Sequence, residues 1–104
     1  MESDAAQRIP VIEVQVSDEL DVAGVDRLTV LLDDAVQLRP AELVVDLTDC
    51  PFIDAAFIGL LLDTHRRIRR IGGLLTLRSP SARTQRNLKL ARADRVLTVT
   101  GTPR

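Results

Sequence analysis

Tryptophan and tyrosine are absent from this 104-residue chain, and Phe52 and Phe57 are its only aromatics. The core must therefore be aliphatic, built from Leu, Val, Ile and Ala. A nucleic-acid platform of stacked aromatic rings has no material to be made from. Cys50 is the single cysteine, so there is no internal disulfide, and one thiol makes no zinc site. Its plain reading is a small buried apolar residue; an intermolecular disulfide is the redox alternative. His65 is the single histidine, and it falls on the inward stripe of an arginine-rich helix, where packing explains it. No serine, histidine and acid occur in a suggestive order. There is no Walker loop and no EF-hand spacing. No catalytic set, metal site or cofactor is expected, and the chain reads as a non-enzyme. No apolar run reaches the ~20 residues of a membrane span. Met1 to Arg8 is polar and acidic, unlike a signal peptide, so a cytoplasmic location is expected.

What is present fits one domain. Its charge is unevenly spread. Residues 1–63 hold 14 acids and 3 bases, whereas residues 64–104 hold 1 acid and 11 bases. The two halves either neutralise each other within the fold or present faces of opposite sign that steer a partner.

Val11 to Val16 alternates apolar and polar residues and predicts a strand. Ser17 to Asp21 is a polar turn. Val25, Leu28, Leu32, Ala35 and Val36 recur at helical spacing, and Pro40 ends that helix. Leu43 to Leu47 predicts a strand buried on both faces, and Thr48 to Pro51 a loop. Ile58, Leu61, Leu62, His65 and Ile68 form the next helical stripe. Asp54 stands at the N-cap position, arginines crowd the C-terminal pole, and Gly72-Gly73 closes the helix. Leu74 to Leu77 predicts a strand, and Ser79-Pro80-Ser81 a turn and helix start. A basic helix follows over 82–92, then a short last strand over Val96 to Val99. Strands alternating with helices predict an α/β fold: a mostly parallel sheet of four or five strands with about three main helices. The expected domain spans 9–100, with loose ends at 1–8 and 101–104.

One stretch is distinctive. Residues 45–62 read VDLTDCPFIDAAFIGLLL. This resembles the strand–loop–helix core of STAS domains, the family of anti-sigma factor antagonists. Asp46-Leu47 match the family's strand, Phe52-Ile53-Asp54 the approach, and Gly59-Leu60-Leu61 the helix. Glu19-Leu20-Asp21 resembles the family's Gly-Glu-Leu-Asp turn, with Asp18 in place of glycine. Gly72-Gly73 with Leu75-Thr76-Leu77, and Leu88 through Leu97, resemble its later segments. The resemblance covers about residues 11–99.

The resemblance implies a binding protein whose partner is an anti-sigma factor of the serine-kinase type, and a role in controlling sigma-factor-dependent transcription. It places the partner surface on Asp21, Asp54, Ala55, Ala56, Phe57, Ile58 and Leu60. The sequence departs from the family at the switch. The phosphoacceptor is the second serine of Asp-Ser-Ser-Gly, and that position is Ala56 here, beside Ala55. Phe57 replaces the following glycine. A phosphate at a helix N-terminus adds nearly two negative charges to an interface, and Ala56 has no hydroxyl to carry one. The chain is then either an antagonist held in its binding-competent state, or a STAS module in another assembly such as an ABC transporter or a sensor. Phe57 is expected at the partner surface, with inward packing as the alternative. Thr48, Ser79 and Ser81 read as turn or cap residues. Arg83, Arg86, Lys89 and Arg92 recur every third residue, but a solvated face explains them better than a nucleic-acid site. The sequence leaves a homodimer open.

Overall fold

The computed structural model describes residues 9–17 and 22–101. Strand β1 (Val11–Gln15) leads to helix α1 (Val22–Gln37), β2 (Glu42–Asp46), α2 (Ala55–Arg70), β3 (Leu74–Arg78) and α3 (Ala82–Leu90). A 3-10 turn (Ala93–Arg95) and β4 (Thr98–Thr100) complete the described chain. The four strands form one sheet in the order β1-β2-β3-β4, and every pair is parallel. The expected α/β architecture is therefore present. The last strand begins two residues later than the sequence predicts, because Ala93–Arg95 coils and buries Ala93 and Leu97 first.

Parallel neighbours in simple sequence order need three right-handed crossovers in the same direction. These place all three helices on one face. The register agrees. Ile12, Leu43 and Leu75 share one rung, and Val14, Val45, Leu77 and Val99 the next but one. These side chains point toward the helices, with Leu28, Leu32, Phe57, Leu61, Ile68 and Leu88 among those packed in the core. The other face carries Glu13, Val44 and Thr76 on one rung and Gln15, Asp46, Arg78 and Thr100 on another. Val44 is buried there, on the face away from the described helices. Long polar side chains flank it, and the Thr76 hydroxyl donates to Glu42 at 2.8 Å. The two-sided burial predicted for β2 thus has two different causes.

Helix ends follow the sequence signals. α1 stops short of Pro40, and Arg39 turns into the left-handed region at φ 53°. α2 closes through Gly72, at φ 81°, and Gly73, whose amides donate to Arg69 and Ile68 carbonyls. A Cβ on Gly73 would lie 2.7 Å from the Pro40 carbonyl oxygen, so this position needs glycine for the close approach.

Candidate functional site

The site is the loop after β2 and the first turns of α2. β2 ends on Asp46, an acid that follows the apolar run Leu43-Val44-Val45. Its Oδ1 accepts from the Thr48 backbone N–H at 2.9 Å and from the Thr48 hydroxyl at 2.6 Å. Its Oδ2 accepts from Arg78 on β3 at 2.9 Å. Arg78 also pairs with Glu13 of β1 at 2.6 Å. The Thr48 bonds, and after them Arg78, hold the Asp46 carboxyl down to about pKa 2 against the cost of burial. Hydrogen bonds to the ionised form favour it. The polar face of three strands therefore fixes where the loop departs.

α3 holds the same loop from the side. The Ser81 hydroxyl donates to the Pro51 carbonyl at 2.9 Å. Asn87 Nδ2 donates to the Ile53 carbonyl at 3.1 Å. The Arg83 guanidinium lies 4.7 Å from the centre of the Phe52 ring, a cation–π distance. Ser81 also caps α3, accepting from the Thr84 amide. Between the loop at 48–51 and the start of α3 lies an open groove of ≈ 530 Å³, with Asp49 and Arg83 exposed on it.

Asp54 is extended and caps α2, its Oδ1 accepting from the Phe57 amide at 2.9 Å. One orphan donor of the first turn is thereby satisfied. Ala55 and Ala56 follow, both exposed, and so is Gly59. Leu60 is half-buried. The structure thus brings Asp54, Ala55, Ala56 and Leu60 together on one end of α2. Asp21 lies outside the described residues.

The expected place of Phe57 at the partner surface is corrected to the inward alternative, and Ile58 lies inward with its helical stripe rather than on that surface. Phe57 is fully buried and Ile58 is 4% exposed. A helix turns about 100° per residue, so Phe57 shares a face with Leu61, Thr64 and Ile68, at spacings of 4, 7 and 11. All three are fully buried. Thr64 is accommodated because its hydroxyl donates to the Leu60 carbonyl at 2.8 Å. The Phe57 ring fills the core rather than the surface.

The remaining candidates divide cleanly. Thr48 is committed to Asp46 and Ser81 to Pro51 and Thr84, as turn and cap residues. Cys50 is buried, its Sγ 3.5 Å from the Phe52 carbonyl. His65 is half-buried with Nδ1 unpartnered; burial, then Arg69 and Arg66, hold its pKa below the ordinary value. Among the described residues, no group of His, Cys, Asp and Glu is arranged to hold a metal ion. No helix among them is long and apolar enough to cross a membrane. Arg78, Ser81 and Asn87 were not legible as loop anchors in the sequence. The Asp-x-Thr spacing of Asp46 and Thr48 was a usable turn signal.

The family model of the STAS domain matches residues 2–103. No curated protein matches the chain at a significant level. Among solved structures, a putative anti-sigma factor antagonist from Thermotoga maritima superposes with a TM-score of 0.76 at 22% identity, over 86% of this chain and 77% of that one. An anti-sigma factor antagonist from Mycobacterium paratuberculosis gives 0.77 at 24% identity, over 86% and 75%. The anti-sigma factor antagonist SpoIIAA in its unphosphorylated form gives 0.68 at 17% identity, over 86% and 78%. At these identities the likeness is one of fold.

Proposed function

The chain belongs to the STAS domain family, and from that premise we propose that it is an anti-sigma factor antagonist-like regulator without a phosphorylation switch. It binds a serine-kinase-type anti-sigma factor through Asp54, Ala55, Ala56, Leu60 and the loop before them, and so frees a sigma factor in the cytoplasm. It acts by binding, not by catalysis. Phe57 and Ile58 support this surface from beneath. One observation supports the reading: the start of α2 is capped, tied down and exposed, and it presents the methyl groups of Ala55 and Ala56 with no hydroxyl. The surface is kept and the switch is missing.

A binding titration against the anti-sigma kinases of the source organism tests this. Wild type and Ala56→Ser are compared with and without ATP. Wild type is expected to bind irrespective of ATP turnover. Ala56→Ser is expected to bind, become phosphorylated and let go. Failure of both forms to bind any such kinase rejects the proposal and redirects attention to transporter or sensor assemblies.

A further inference from the structure

The outer flank of α1 carries a stripe that the function above does not use. Arg27, Leu31, Asp34 and Leu38 follow one another at spacings of 4, 3 and 4, and so line one side of the helix. Leu38 belongs to the same turn, since its amide donates to the Asp34 carbonyl. Leu31 is 53% and Leu38 is 56% exposed, and Arg27 and Asp34 are exposed as well. No ion pair among the described residues engages Arg27 or Asp34. The opposite flank of α1 is occupied: Asp33 pairs there with Arg67 of α2. The stripe therefore looks outward over β1, which among the described residues is an edge strand of the sheet.

We infer that this flank is a two-fold interface with a second copy of the chain. The order Arg–Leu–Asp–Leu is self-complementary when two such helices run antiparallel. Arg27 of each copy then meets Asp34 of the other, Leu31 meets Leu31 of the other copy between the two pairs, and Leu38 extends the patch beyond the Asp34 end. An isologous contact of this kind uses one patch twice and closes on itself.

The sheet supports the same axis. α1 runs antiparallel to β1, so antiparallel α1 helices bring the two β1 edges together antiparallel. Strands pair about 4.8 Å apart, and α1 crosses between β1 and β2. An axis midway between paired β1 strands would thus lie about 5 Å from α1 in projection. The two helices come to about 10 Å, within the usual packing distance. The odd-numbered residues of β1 direct their backbone groups to this edge, since Val16 bonds inward to Asp46. β1 itself carries no lysine or proline, and its one charge, Glu13, is paired with Arg78.

Sedimentation of the full chain over a concentration series tests the inference, with Arg27→Glu and Asp34→Lys as variants. Both residues are exposed, and circular dichroism checks that each variant folds. Wild type is expected to form a dimer that salt weakens. Each variant alone replaces two attractions with two repulsions, and its dimerisation is expected to weaken about tenfold or more, given the modest strength of exposed pairs. Mixing the two variants restores complementarity at both contacts, so the mixture is expected to associate where neither does alone. Leu31→Glu is expected to abolish association in any mixture. A wild type that stays monomeric at every concentration overturns the inference. So does a dimer that the charge reversals leave unchanged, or one that mixing fails to restore.

Discussion

Ala56 and Phe57 are adjacent in the chain and meet opposite environments: Ala56 is exposed and Phe57 fully buried. The two positions therefore answer to different constraints. A change at Ala56 alters the surface and leaves the core alone. A change at Phe57 alters the core and adds nothing to the surface. One step of about 100° along a helix separates them. A motif read as a single functional unit is, at this helix start, a surface position beside a packing position.

The comparison breaks most easily at Phe57. Phe57→Ala should destabilise the fold by about 3–5 kcal/mol, the range for removing a buried aromatic. Chemical denaturation measures it; a loss below about 1 kcal/mol would mean that the ring is not part of the core. Asp46→Asn tests what holds the surface half in place. It should cost about 2 kcal/mol, as loss of hydrogen bonds to a charged group does. Its pH dependence has a definite sign. The folded Asp46 pKa of about 2 lies below the ordinary value of 3.8. Its contribution is therefore present above pH 4 and is lost as pH falls toward 2. Acid unfolding of Asp46→Asn should be flatter than wild type in that window. Identical slopes would show that the network is not coupled to folding.

Gly59 sharpens the surface side. A Cβ there would have no atom within 4 Å, so Gly59→Ala should stabilise α2 by about 0.5–1 kcal/mol on propensity alone. The same methyl group should weaken binding of the proposed partner, so thermal melting and titration should move in opposite directions. If both improve together, Gly59 is outside the interface. Ala56→Ser should show the smallest stability effect, within about 0.5 kcal/mol, because the site is exposed. A loss above about 1 kcal/mol would mean that the position is packed shut.

Much of this molecule was legible in its residues. The alternation in Val11 to Val16 gave β1 its inward face, and Pro40 and Gly72-Gly73 marked helix ends. Asp54 was readable as a cap because helix N-termini leave amides unpaired. The α2 stripe was read correctly at Ile58, Leu61 and Ile68, which are buried, but it took in the half-buried Leu62 and His65 and left out Phe57 and Thr64. Apolarity alone cannot rank positions on a helix that is apolar around most of its first three turns. The threonine's own helix satisfies its hydroxyl, which hid Thr64 from any hydrophobic pattern.

Local chemistry thus determined the order of elements, the capped helix start and the missing hydroxyl at Ala56, since each depends on neighbours within a few positions. Tertiary structure alone decided that Phe57 is core and that Arg78, Ser81 and Asn87 fasten the loop. These residues lie roughly thirty positions from their partners, and only the parallel register of β1, β2 and β3 and the return of α3 bring them within hydrogen-bond reach.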